Sequence, residues 1–288
     1  VPEGPEIHGQ AGRLGAFLEG QKPRLECHYE PLQEAIESLQ GHRLNTVRAR
    51  GKAFLFGFES SLTLYAHMQL YGRWQICRPG ETPVSRRQLR LRLATPQRDA
   101  LLYSATDIQM LDSEQLADHP YLSRLGPDLL DTQATEEHFL ARLQDRRFQR
   151  RQLATLLLDQ SFWAGPGNYL RSEILFCAGL APQMRPCDLD GVQSLRLVRA
   201  ALGLARRSLH SKGITNHPEL VQRQKKEKVP RRHYRHWVFA RQGLPCCLCN
   251  SPILKQDWAG RRLYLCPGCG GGGSLELDFS DLTLHKDR

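Results

Sequence analysis

The chain has 288 residues, 40 Lys+Arg against 30 Asp+Glu for a net charge of +10, and 40% hydrophobic residues. That balance excludes a disordered chain, 24 Gly and 17 Pro are too few for a collagen-like one, and the length allows about two domains with a sizeable core. No apolar run approaches the ~18 residues that a membrane-spanning helix needs and the first residues show no basic leader, so a cytoplasmic protein is expected, its positive charge favouring a polyanionic partner.

The N-terminal residues carry the first chemical signal. A proline has a free secondary amine only at the first position, where it can attack an aldehyde-like sugar carbon and form an iminium. Pro2 followed by Glu3 offers such a nucleophile beside a carboxyl group, with Glu6 a turn away. This requires that Val1 be absent from the mature chain. The simplest expectation is that Val1 occupies the initiator position and is removed.

Ile7, Ala11, Leu14 and Leu18 then recur at helical spacing after Pro5. From about 43 to 110 the period changes to two: Leu62, Leu64, Ala66 and Met68 alternate with Thr63, Tyr65 and His67, and Leu89, Leu91 and Leu93 with Arg90 and Arg92. Several short runs of that kind, broken by turns such as Arg78-Pro79-Gly80, predict a β-sandwich or barrel. Beyond Asp131 the pattern is helical. Thr135 opens a helix with Phe139, Leu140 and Leu143 on its buried face, and further helices are predicted over about 149–160, 168–178 and 189–210, the last starting at Asp188 or Asp190.

Residues 222–241 carry Arg223, Lys225, Lys226, Lys228, Arg231, Arg232, Arg235 and Arg241 against the single acid Glu227. A basic linker results, and the interleaved His233, Tyr234, His236 and Trp237 make it a candidate for tracking phosphates. Next come Cys246-x-x-Cys249 and Cys266-x-x-Cys269, separated by sixteen residues. Two such pairs at that distance fit a four-thiolate zinc site, with the intervening segment folding as a hairpin that turns around Asp257, Trp258, Ala259 and Gly260. Cys247 is read as a bystander. Gly270 to Gly273 and Ser274 read as a flexible linker into a tail without core pattern.

The motifs occur in one order: Pro2-Glu3-Gly4-Pro5-Glu6-Ile7, Arg50-Gly51-Lys52, Gln69-Leu70-Tyr71-Gly72, Leu158-Asp159-Gln160 running into Ala164-Gly165-Pro166-Gly167-Asn168-Tyr169 and Glu173-Ile174-Leu175, and then the cysteine pairs. This set closely resembles the formamidopyrimidine-DNA glycosylase and endonuclease VIII family over about residues 1–269, and the contiguous Gln69-Leu70-Tyr71 resembles the endonuclease VIII branch.

The resemblance implies an α+β multidomain fold. Its parts would be a catalytic N-terminal β-sandwich with a leading helix at 1–130, a helix-two-turn-helix DNA-binding domain at 131–222, the basic linker at 223–240, a zinc finger at 241–269 and the tail at 270–288. It implies a bifunctional glycosylase and AP lyase removing oxidised pyrimidines from damaged DNA, with one structural zinc ion on Cys246, Cys249, Cys266 and Cys269. In that reading Pro2 is the nucleophile and Glu3 the proton donor and shuttle. Lys52 and Arg261 contact phosphates at the lesion, Gln69, Leu70 and Tyr71 wedge into the base stack, and Asn168 with Arg171 and the backbone donors of its helix hold further phosphates, with Glu6 beside the site. Arg262 stays open as the alternative to Arg261. A monomer is expected, cytoplasmic in a bacterium and on the nucleoid when acting. Oxidised-purine specificity is the rival within the family, and a non-catalytic damage-binding protein would follow from a retained Val1. Asn250 stands where the family pattern has glycine, and it tolerates a left-handed turn, so the finger should survive.

Overall fold

The computed structural model describes residues 2–269. Val1 and residues 270–288, and with them the expectations about the initiator position and the tail, lie outside the described residues. The chain divides into two compact units. One holds Pro2 and Glu6–Arg124; the other holds Glu3–Pro5 and the chain from Leu125.

The first unit is built from helix α1 (Gly4–Leu18), strand β1 (Arg24–Cys27), the short helix α2 (Gln33–Glu37), strands β2 (Leu44–Arg50), β3 (Ala53–Phe58), β4 (Thr63–His67), β5 (Arg73–Cys77), β6 (Leu89–Ala94), β7 (Asp99–Tyr103) and β8 (Asp107–Leu111), and helix α3 (Ser113–Asp118). The strands form two antiparallel sheets in the orders β1-β6-β7-β5 and β2-β3-β4-β8. The expected helical stripe of α1, Ile7, Ala11, Leu14 and Leu18, is buried in one core with Phe54, Phe56, Trp74, Leu91 and Leu93. Arg92 alternates with Leu91 and Leu93 yet is buried too, on the opposite face of the sheet beside Leu101, because its guanidinium donates to Asp99 at 2.6 Å. A paired charge can be buried where an unpaired one cannot.

The second unit contains α4 (Glu136–Gln144), α5 (Leu153–Leu156), α6 (Asn168–Ala178), α7 (Gly191–His210), α8 (Pro218–Lys226) and α9 (Arg231–Tyr234), then the hairpin of β9 (Leu254–Trp258) and β10 (Arg261–Leu265). Thr135 caps α4, Asp190 caps α7 through the Gln193 N–H at 2.7 Å, and α6 ends in a left-handed Gly179 at φ 63. The helix predicted over 149–160 is reduced to the single turn α5. At its start, the Leu153 and Ala154 N–H groups bond the carbonyls of Met184 and Pro182 instead of preceding residues; after it, the Asp159 side chain takes the Ser161 N–H and hydroxyl at 2.9 and 2.6 Å. Both compete with helix continuation.

The segment 223–240, read from sequence as a basic linker, carries the end of α8 and all of α9, and His236, Trp237 and Val238 within it are buried. Its anchor is Glu173 of α6, fully buried, which accepts the N–H groups of Trp237, Val238 and Phe239 at 2.8, 2.9 and 2.9 Å. No described helix is long and apolar enough to cross a membrane.

Candidate functional site

In the first unit, the register of one sheet brings the motif residues to a common end. Arg50 pairs with Ala53 across a two-residue turn, Ala53 with His67, and His67 with Asp107. Gly51 occupies the first central position of that turn at φ 61, which only glycine adopts without strain, and Lys52 follows it, half-buried, its N–H donated to the Tyr121 hydroxyl at 3.0 Å. One strand on, the chain leaves β4 into a tight loop closed by the Gly72 N–H on the Met68 carbonyl at 2.8 Å. A Cβ on Gly72 would stand 2.6 Å from that carbonyl oxygen, so glycine is required there.

The tip of this loop is Gln69, Leu70 and Tyr71. Leu70 is 67% and Tyr71 68% exposed, so Leu70 is not a core residue, while the neighbouring Met68 is buried. An adjacent exposed leucine and tyrosine on a loop held this firmly is an apolar point offered to something else. Gln69 is left-handed at φ 47, its N–H donates to His67 Nδ1 at 3.2 Å, and its Oε1 accepts the Thr106 hydroxyl at 3.1 Å. Arg87 donates to the Tyr71 carbonyl. Glu6 lies half-buried in the first turn of α1, and Pro2 is exposed ahead of that helix.

In the second unit, Glu3 is buried at the N-terminus of α6. Its carboxylate accepts the N–H groups of Gly167 at 2.7 Å, Tyr169 at 2.8 Å and Leu170 at 3.2 Å. These are donors a helix cannot satisfy itself, and the helix dipole adds to the attraction for a negative group. The Gly4 N–H bonds the Gly165 carbonyl at 2.9 Å, and a Cβ on Gly4 would lie 2.8 Å from the Gly165 Cα. The Gly165-Pro166-Gly167 loop thus closes on the Glu3-Gly4 backbone.

Two expectations are corrected here. The backbone donors at the start of α6, expected to hold a phosphate, are occupied by Glu3; the half-buried Asn168 begins the same helix, and its Oδ1, an acceptor, has no hydrogen-bond partner among the described residues. Arg171 is fully buried and cannot meet a phosphate. It donates to the carbonyls of Ala154 at 3.2 Å and Arg262 at 2.9 Å, tying α6 to the hairpin, and burial with the nearby Arg261 charge pushes its guanidinium down to about 10.

Arg261 begins β10 just after a two-residue turn in which Ala259 and Gly260 have φ 51 and 73, the pair of left-handed residues that a type I′ turn demands. Arg261 and Arg262 are both exposed. Arg261 lines a small cleft with Arg151, Asp159, Arg171 and Trp258.

At the other end of the hairpin the four cysteines converge, each thiol sulfur within 4.8 Å of the others. Cys246 meets Cys269 at 3.8 Å and Cys249 meets Cys266 at 3.3 Å. Four sulfurs about 2.3 Å from one ion lie about 3.8 Å apart in a tetrahedron, so the donor set fits a thiophilic ion such as zinc. Asn250 takes the left-handed conformation expected of it, φ 63, and Cys247 points elsewhere, accepting from Arg241 at 3.0 Å.

The comparisons with known proteins decide the family. Residues 1–110 match the formamidopyrimidine-DNA glycosylase N-terminal domain and residues 125–218 the formamidopyrimidine-DNA glycosylase H2TH domain. The chain belongs to the formamidopyrimidine-DNA glycosylase family. Its activity is that of a DNA glycosylase with abasic-site lyase chemistry. It is 42% identical over 93% of its length to Endonuclease 8 of Klebsiella pneumoniae and 43% identical to that of Shigella sonnei, covering 99% of each relative. In fold it is similar to Lactococcus lactis Fpg complexes, one with a THF-DNA and an inhibitor (TM-score 0.76, 20% identity, 94% of this chain and 100% of the other) and one with abasic-site DNA (TM-score 0.75, 20% identity, 94% and 100%).

The roles that sequence reading missed are those of residues that hold others. His67 and Tyr121 fix Gln69 and Lys52, and Gly167 makes room for Glu3: a Cβ there would stand 2.5 Å from the Glu3 carboxyl carbon. His67 was visible only as one position of an alternating strand, and Tyr121 had no local signal.

Proposed function

We propose that the chain works as its Endonuclease 8 relatives are named: a bifunctional glycosylase and AP lyase of base excision repair that removes oxidised pyrimidines from DNA. The observation that carries this reading beyond the fold is the capture of Glu3 by the start of α6, which fixes a carboxylate one residue from Pro2. The amine of Pro2, once N-terminal, attacks C1′ of the damaged nucleotide and gives up its proton; the C1′–base bond breaks and the base leaves with a proton, and the C1′–O4′ bond then opens, O4′ taking a proton, to leave the iminium. Glu3 donates and shuttles protons at the sugar. Loss of a C2′ proton then breaks the C3′–oxygen bond, and a second elimination breaks the C5′–oxygen bond.

Lys52 and Arg261 hold the phosphates flanking the lesion, and Glu6 and Asn168 supply further DNA contacts. Gln69, Leu70 and Tyr71 enter the gap left by the flipped nucleotide. Zinc on the four cysteines supplies local folding energy to the hairpin that carries Arg261. The enzyme acts as a monomer in the bacterial cytoplasm. Excision from duplexes carrying thymine glycol or 8-oxoguanine tests the specificity: thymine glycol should be released faster, and the reverse order would assign the chain to oxidised purines.

A further inference from the structure

We infer that His67 and Tyr121 are positioning residues that together set the two DNA-facing loops of the first unit, His67 by accepting the Gln69 N–H and Tyr121 by accepting the Lys52 N–H. The inference rests on the roles proposed above for Lys52 and for Gln69–Tyr71, and adds what holds them in place.

Gln69 needs holding. Its φ of 47 is left-handed, a conformation that is unfavourable for a residue with a Cβ and persists where surrounding contacts over-determine it. Among the described residues those contacts include the N–H to His67 Nδ1 at 3.2 Å and the side-chain oxygen, which accepts the Thr106 hydroxyl at 3.1 Å. An imidazole accepts at Nδ1 only when that nitrogen carries no proton. Burial lowers the proton affinity of His67 and the Lys52 charge lowers it further, while Asp107 opposes both; lowering predominates, so the acceptor form is kept.

The same ring bears on the other loop. It meets Tyr121 edge-to-face, centroids 5.1 Å apart at 66°, and the Tyr121 hydroxyl accepts the Lys52 N–H at 3.0 Å. Tyr121 is 69 residues from Lys52 in sequence, and no secondary structure requires that bond. Register completes the arrangement: His67 pairs with Ala53, the residue after Lys52, and with Asp107, the residue after Thr106. Two rings in edge-to-face contact therefore serve the lysine turn and the wedge loop, each accepting a backbone N–H from one of them.

Three variants separate these contacts. His67→Phe keeps a ring against Tyr121 and loses the acceptor. His67→Asn loses the ring and keeps a side-chain oxygen able to accept the N–H two residues on, as in an Asx turn. Tyr121→Phe keeps the ring and loses the hydroxyl.

Amide hydrogen exchange reads the contacts without any activity. Exchange at Gln69 should quicken about tenfold in His67→Phe and stay slow in His67→Asn, and exchange at Lys52 should quicken in Tyr121→Phe. In single-turnover assays, His67→Phe should slow thymine glycol excision about tenfold and abasic-site cleavage far less, with His67→Asn restoring excision; Tyr121→Phe should slow both substrates alike.

Unchanged exchange at both amides overturns the inference, as does a His67→Asn protein as impaired as His67→Phe. Should His67→Phe fail to fold, Tyr121→Phe and His67→Asn decide through the same exchange rates. If the native protein forms no borohydride-trapped complex on either substrate, the proposed function fails, while the exchange result still decides the inference.

Discussion

Glu3 and Gly167 are matched by what Gly167 lacks: its N–H donates to the Glu3 carboxylate at 2.7 Å, and a Cβ in its place would stand 2.5 Å from the carboxyl carbon. The clash would fall on the far end of a flexible side chain, and Gly167 has an extended φ of −137 that any residue adopts. Gly167→Ala should therefore fold, lose roughly 1–3 kcal/mol with the Glu3 hydrogen bonds, and lose most base excision because the carboxylate has moved. Melting temperature and single-turnover excision measured together check this. Native excision rates would show that the position of Glu3 is immaterial.

Pro2→Gly should greatly weaken borohydride trapping on damaged DNA, because the glycine amine, though able to form an imine, lacks the ring that fixes the geometry of the proline nitrogen. Mass analysis of the purified N-terminus belongs to the same experiment, since an acylated Pro2 nitrogen cannot attack. Undiminished trapping by the variant would move the nucleophile to Lys52.

Arg261→Ala and Arg171→Met should differ in kind. Arg261 is exposed, so its loss should weaken DNA binding by about 1–3 kcal/mol for every lesion and flatten the salt dependence by about one unit. Arg171 spends its donors on two backbone carbonyls, so its variant should lower the melting temperature and leave the salt slope alone. Titrations at several salt concentrations separate them; a flattened slope in Arg171→Met would return it to the phosphates. Running Arg262→Ala alongside decides between the two hairpin arginines.

Leu70→Ala removes the exposed tip of the wedge loop. It should slow excision most where the damaged base is still well paired and least at an abasic site, where little stacking remains to be overcome. Equal slowing on both substrates would contradict the wedge role.

Acidification or a chelator should release the hairpin metal, because thiolates must be deprotonated to bind it. Metal analysis should find one zinc per chain, and Cys249→Ser should lower that content and weaken DNA binding while the first unit's near-ultraviolet signal persists. Native protein free of zinc would end the assignment.

Much of this site was legible in the sequence because its signals are local. The cysteine spacing, the α1 stripe, the residues 168–178 of α6 and the glycine after Arg50 each depend on neighbours within a few positions. What escaped depends on distance. Arg171 looked solvent-facing because a cation usually is, yet α6 is buried nearly all round and offers no polar face for it; its partner carbonyl, Arg262, is 91 residues away. The donors at the start of α6 looked free because their acceptor, Glu3, lies 164 residues upstream of Gly167. The single turn α5 was over-read as a full helix because apolar periodicity registers burial and does not register which backbone donors neighbouring loops have already taken.

The cysteine hairpin shares its core with α6 and α7: Cys246, Ile253, Leu263, Tyr264 and Cys266 pack in one cluster with Ile174, Phe176 and Leu197, and the Tyr264 N–H bonds Ser172 at 3.2 Å. It is thus no interchangeable bead. A finger transplanted from a relative would arrive without Ser172 and Arg171 beneath it, and since the helix that bears those residues also seats Glu3, a poorly matched graft would disturb a proton donor that its own sequence never touches. Chimeras of this family should be cut ahead of α6, with helix and hairpin exchanged as one piece.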